Sequence, residues 1–236
     1  MWFFDPMYFV FLAPAILLAL WAQAKVKWAY ATASQIPSRS GYTGAAAARR
    51  VMESEGVLDV GIEESHGFLS DHYDPRHKVL RLSPDVYHGR SLAALGIAAH
   101  EAGHALQHGH GYAPLAIRNG LVPLASTGGT LSTTIIFLGV LMSHTAFGRS
   151  MILAGIGLFS IFVLFQLVNL PVEFNASSRA RVALLTTGLV DGQEELVVKK
   201  VLNAAAMTYV AATISAILTL LYYLFRAGLL GGRRNN

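Results

Sequence analysis

Cysteine is absent from all 236 residues, so no disulfide can staple the fold and no thiolate can hold a metal. Any metal site must therefore be built from His, Asp or Glu. Charge is scarce as well: 14% of residues are Asp, Glu, Lys or Arg against 53% hydrophobic, and the mean hydropathy is +0.46. That balance excludes an ordinary water-soluble domain, in which about a quarter of residues are charged. The net charge of +4 does not point to nucleic acid, because the basic residues are scattered among acidic ones and no nucleic-acid-binding motif is present. Internal repeats and low-complexity tracts are also missing.

Four segments approach the ~20 apolar residues needed to cross a bilayer: 8–24, 121–142, 151–170 and 205–225. The third, MILAGIGLFSIFVLFQLVNL, carries no charge. The second holds Gly128, Gly129 and several hydroxyl residues, a composition suited to close helix packing. Ala22-Gln23-Ala24 resembles a signal cleavage site, but Asp5 precedes the first segment and no Lys or Arg does, so it reads as a retained anchor. Trp2, Phe3, Phe4 and Tyr8 at one end, and Trp21, Trp28 and Tyr30 at the other, resemble interfacial aromatic belts.

The expected division is an N-terminal anchor (1–24), a catalytic region (25–120), a membrane hairpin (121–170), a region carrying a further ligand (171–204), and a last span with its tail (205–236). Lys25, Lys27, Arg39, Arg118, Arg179, Arg181, Lys199 and Lys200 flank the spans on one side, and Arg149, Arg226, Arg233 and Arg234 on the other. By the positive-inside bias the richer side is cytoplasmic.

On that side lies His100-Glu101-Ala102-Gly103-His104, an H-E-x-x-H pattern within a run of helix formers. Ser91 is placed to cap the helix and Gly109 to end it. Residues four apart on an α-helix share a face, so His100 and His104 can grip one ion, with Glu101 ~100° away and within reach of a water on it. Zinc lowers the pKa of bound water to about 7, and a neighbouring carboxylate can take its proton. The pattern points to zinc-dependent peptide hydrolysis. Upstream, 44–55 reads as a helix between Thr43 and Gly56, and 57–61 and 78–82 read as strands, the second following the turn signal Tyr73-Asp74-Pro75-Arg76. A strand there is placed to pair with an extended substrate.

Catalytic zinc usually takes three protein ligands, so one more is required. His108 lies ~12 Å along the helix from His100, too far to share an ion. His110 stands at the third-histidine spacing of H-E-x-x-H-x-x-G-x-x-H, but Gln107 replaces the glycine of that pattern. Glu173 follows the most hydrophobic span on the same membrane side as the histidines, where a carboxylate must be solvated, paired or coordinating. Glu173 is the preferred candidate and His110 its competitor.

The chain resembles the YugP-type neutral zinc metallopeptidases of bacterial membranes. The resemblance is carried by Phe4-Asp5-Pro6, 71–76, 78–83, the H-E-x-x-H helix, Pro171-Val172-Glu173-Phe174-Asn175-Ala176-Ser177 and 204–211. More distantly the chain is similar to the HtpX and Ste24 membrane peptidases. The resemblance implies that His100, His104 and Glu173 ligate zinc and that Glu101 is the general base. In the HtpX-like pattern an aspartate follows the ligand glutamate by four residues; here Ser177 stands there, which leaves Asn175 or Ser177 to supply a weaker hydrogen bond.

Asp71, His72, Asp74 and His77 read as a polar turn, with a second metal site as the competing reading. Glu53, Glu55, Glu63 and Glu64 read as a solvated face. Arg179, Tyr112 and Tyr209 are candidates to stabilise an oxyanion. The sequence thus predicts a mainly α, multi-span helical membrane protein of the bacterial cell membrane, with a small α+β zincin-like region. It would act on protein or peptide substrates, membrane proteins above all, through Zn2+, with the bilayer and not nucleic acid as its surroundings. The alternative is a non-proteolytic membrane scaffold with a structural zinc site, although such a site has no need of a general base. A transporter is disfavoured by the lack of charge within the spans.

Overall fold

The computed structural model describes residues 6–66 and 70–230. The leading aromatics Trp2, Phe3 and Phe4, together with Asp5 and the 231–236 tail, lie outside the described residues. The elements run α1 (Pro6–Ser34), α2 (Gly44–Ser54), β1 (Gly61–Glu64), β2 (His72–Asp74), β3 (Val79–Leu82), α3 (Pro84–Tyr87), α4 (Leu92–Gly109), α5 (Ala113–Leu141), α6 (Ala146–Thr186) and α7 (Gly192–Arg226). The protein is mainly helical, and α1, α5, α6 and α7 are each long and apolar enough to cross a membrane. The chain divides into two compact units, one of Met1–Trp21, Ile117–Leu170 and Tyr209–Asn236, the other of Ala22–Ala116 and Pro171–Thr208.

The first unit is apolar outside as well as in. Leu17, Phe9 and Leu164 are more than half exposed, a surface suited to lipid. Its interior packs Ile136 against Ile152, Ile156, Phe159 and Val163, with Ala216, Tyr222 and Tyr223 from α7 and Tyr8 and Phe11 from α1 beside them. Hydroxyl side chains answer to their own helices: Ser132 and Thr133 donate to the Gly129 carbonyl, Ser160 to Ile156 and Thr213 to Tyr209. No hydroxyl hydrogen among these is left facing hydrocarbon. Thr145 accepts from the Gly148 N–H and starts α6 immediately after the α5 turn.

The second unit is built around α4. Ser91 caps it as expected, its Oγ accepting from the Ala94 N–H at 3.2 Å. It runs to Gly109, and the left-handed residue that closes it is Gly111 at φ +64°, a conformation natural to glycine, rather than Gly109 itself. Gly109 instead lies against Val57. Thr43 caps α2 through the Ala46 N–H, and Gly56 follows its end at φ +76°. The sheet has order β1-β3-β2, with β1 parallel and β2 antiparallel to β3. Residues 57–60 do not form the expected strand: Val57 and Val60 are drawn into the core from a loop, and pairing begins only at Gly61. The three-residue β2 is too short to show an alternating pattern in sequence.

Ala98, Ala99, Ala102 and Ala105 make α4 narrow enough to be enclosed by Val51 and Met52 of α2, Leu80 and Leu82 of β3, Ala180 and Leu184 of α6, and Val198 and Leu202 of α7. The closest approach is at Gly103, where an added Cβ would lie 2.5 Å from the Ala176 carbonyl oxygen of α6. Gly103→Ala should therefore destabilise the protein by about 1–3 kcal/mol, although alanine is the better helix former. Gly120→Ala, where nothing lies within 4 Å of the new methyl, should be neutral or slightly stabilising. Thermal unfolding in detergent reads both; a Gly103→Ala protein that melts with the parent would contradict this packing.

Candidate metal centre

Helix α4 places the rings of His100 and His104 one turn apart, with centroids 4.8 Å from each other and planes at 81°. Helix α6 brings Glu173 against them. Its Oε2 lies 3.3 Å from His100 Nε2 and 3.7 Å from His104 Nε2. One possible ligand atom from each residue falls within 4.8 Å of the others, and this is the one such metal-holding cluster among the described residues. The Glu173 carboxylate is 97% buried as a side chain, given its 3% exposure, and Oε2 has no hydrogen-bond partner. A buried, unpartnered carboxylate oxygen facing two imidazole nitrogens is the donor set for a divalent cation of the zinc type.

Electrostatics agree with that arrangement. Burial disfavours a charge on His104, but the facing carboxylates of Glu173 and Glu101 outweigh it and hold its pKa above the ordinary imidazole value. Glu101, one residue past His100 on α4, is partly buried and close enough to bias the site's charge.

The outer atoms of both histidines are also held. His100 Nδ1 meets Ser177 Oγ at 3.1 Å, the contact anticipated for Ser177. Asn175 touches neither histidine; its Oδ1 accepts from Arg179 Nε at 2.8 Å and from Gln107 Nε2 at 3.0 Å. In sequence Gln107 stands out only as a departure from the three-histidine pattern. It is fully buried, with Oε1 3.0 Å from His104 Nδ1 and Nε2 2.8 Å from the Val172 carbonyl. Its signal in sequence is its spacing: an amide three residues beyond His104 stands beside that ring on the helix.

The competing candidates have other partners. His108 shares a 2.7 Å hydrogen bond with the Tyr73 hydroxyl, and burial pushes that phenol up to about 12. His110 meets the Glu55 carbonyl through Nε2 and Arg179 through Nδ1. Arg179 also lies over the Tyr112 ring at 5.9 Å, and Tyr209 belongs to α7. In the polar turn, Asp74 binds the backbone of Arg76 and the side chains of His77 and Arg81, while Asp71 accepts from Ser83. Those partners account for the turn without a metal. Glu53, Glu55, Glu63 and Glu64 are exposed, as expected.

Comparison with known proteins points to zinc peptidases. A family described as "Putative neutral zinc metallopeptidase" matches residues 8–228. The chain is 43% identical over 231 residues to the "Putative membrane protease YugP" of Bacillus subtilis (strain 168), covering 98% of this chain and 100% of that protein. No solved structure matches the chain.

Two substitutions discriminate between the third-ligand candidates. Glu173→Ala should weaken zinc binding by more than the ~10–100-fold typical of losing an outer-shell partner. His110→Ala should leave zinc content nearly unchanged. Metal analysis of the purified proteins reads both, and the reverse pattern would transfer the ligand role to His110.

Proposed function

We propose that this chain, which belongs to the family described as putative neutral zinc metallopeptidases, is a membrane-embedded, gluzincin-like zinc endopeptidase in which His100, His104 and Glu173 hold the metal and Glu101 is the general base. The observation that carries the reading is the buried Glu173 Oε2, without a hydrogen-bond partner and facing the Nε2 atoms of His100 and His104. Zinc held by this set supplies a Lewis acid for the scissile carbonyl and an acidified water.

The protein residues then carry the proton. Glu101 accepts it from water as the water oxygen bonds to the carbonyl carbon, and returns it to the leaving nitrogen as the C–N bond breaks. His100 and His104 keep fixed positions because Ser177 and Gln107 hold their outer nitrogens. The base is thus on the same rigid helix as two of the ligands, which favours its alignment with the water.

The natural substrates in this reading are membrane proteins or their juxtamembrane segments. The protein sits in the bacterial cell membrane with its active site at the cytoplasmic side. What supports this is the apolar surface of four long helices, the excess of basic residues on the side holding H-E-x-x-H, and the even number of spans between His100 and Glu173.

Glu101→Gln should retain zinc while peptide hydrolysis falls by at least the ~10²–10⁴-fold typical of a lost general base. Proteolysis in detergent alongside metal content measures both; near-parental cleavage would remove Glu101 from the role. Topology has its own readout, since the chain has no native cysteine. A cysteine at exposed Glu53 should resist a membrane-impermeant thiol reagent in intact cells and react once the membrane is opened. Labelling of intact cells would place the site outside.

A further inference from the structure

We infer that Gln107 is a positioning residue for the metal centre, holding His104 with Nδ1 protonated and Nε2 free to bind the ion, through hydrogen bonds whose direction is set at their far end by Arg179. The inference rests on the zinc-peptidase reading and deepens it. A guanidinium only donates, so the Asn175 atom 2.8 Å from Arg179 Nε must be the acceptor oxygen. That oxygen is also 3.0 Å from one end of the Gln107 amide, and the same end is 2.8 Å from the Val172 carbonyl, which only accepts.

Two acceptors require a donor between them, so this end of Gln107 is Nε2. Oε1 is then the atom 3.0 Å from His104 Nδ1, and an amide oxygen cannot donate. Nδ1 therefore carries hydrogen and the ring's lone pair falls on Nε2, the atom 3.7 Å from Glu173 Oε2. His100 has no such lock, because the Ser177 hydroxyl beside its Nδ1 can donate or accept.

Full burial of Gln107 leaves no access for water to replace either bond. Val172 and Asn175 also flank Glu173 on α6, so one amide orients a histidine of α4 and ties that helix to the turn bearing the third ligand. The ligand geometry on both helices depends on it.

Gln107→Met and Gln107→Glu separate this role from packing. Both lose the donor bonds to α6, but only the glutamate keeps an acceptor toward His104. Zinc affinity, measured by chelator competition in detergent, should fall by about 10–100-fold in Gln107→Met and stay within about three-fold of the parent in Gln107→Glu. Thermal unfolding of the metal-free proteins should show at least as large a loss in Gln107→Glu, whose second oxygen faces the Val172 and Asn175 acceptors, as in Gln107→Met. Equal loss of zinc affinity in both, or parental affinity in Gln107→Met, overturns the inference.

A second measurement needs no variant. In the metal-free parent with isotope-labelled histidine ring nitrogens, His104 should carry a hydrogen on Nδ1 whether or not Nε2 also carries one, because the Gln107 oxygen it faces can only accept. A bare Nδ1 overturns the inference even if neither variant folds. A parent that binds no zinc, with Nδ1 still protonated, would instead count against the peptidase reading alone.

Discussion

A carboxylate buried against two imidazoles sets the terms for the second unit. Taking Glu173 out of water costs several kcal/mol unless a positive charge answers it. Among the described residues no lysine or arginine is ion-paired with it; the groups it faces are His100 and His104. Everything around serves to hold the two helices near enough for that. Alanines line α4, Gly103 lets it touch the α6 backbone, and Gln107 bonds across the gap. A side chain of ordinary size at position 103 would move the carboxylate away from the imidazoles.

Helix α4 illustrates what small residues accomplish beyond propensity. A helix covered with alanine presents little side-chain bulk, so α2, β3, α6 and α7 all reach its surface. Buried polar atoms within it are limited to His104 and Gln107, and these are bonded to one another. His100 and Glu101, with Ile97, are partly exposed on it, and its last residues His108 and Gly109 are exposed.

Much of this was legible from spacing. Residues four apart on a helix must share a face, so the His100–His104 pair follows from the sequence alone, and both Ser91 and Thr43 take the capping roles their positions suggest. The four apolar segments likewise become four long helices. The proximity of Glu173 to the histidines was argued from membrane side and burial cost, and the structure places it there. Two kinds of information were not local enough to read. The 57–60 loop and the short β2 depend on where Val57, Val60 and Tyr73 find cover, which is decided by distant packing. Gln107 was visible only as a mismatch to another pattern, since its meaning lies in atoms of Val172, Asn175 and Arg179 far along the chain.

That separation along the chain has a consequence for biosynthesis. The two histidines leave the ribosome on α4, whereas the carboxylate that completes their centre sits on α6, beyond the whole of α5 and the apolar first part of α6. The polypeptide must therefore insert two further hydrophobic segments before the three side chains can meet, and closing so long a loop becomes favourable only when those segments have found the bilayer. Until then, α4 presents a histidine pair without Glu173, and a half-made chain lacks the three-residue cluster. Assembly of the cluster therefore comes after both intervening apolar segments have been made.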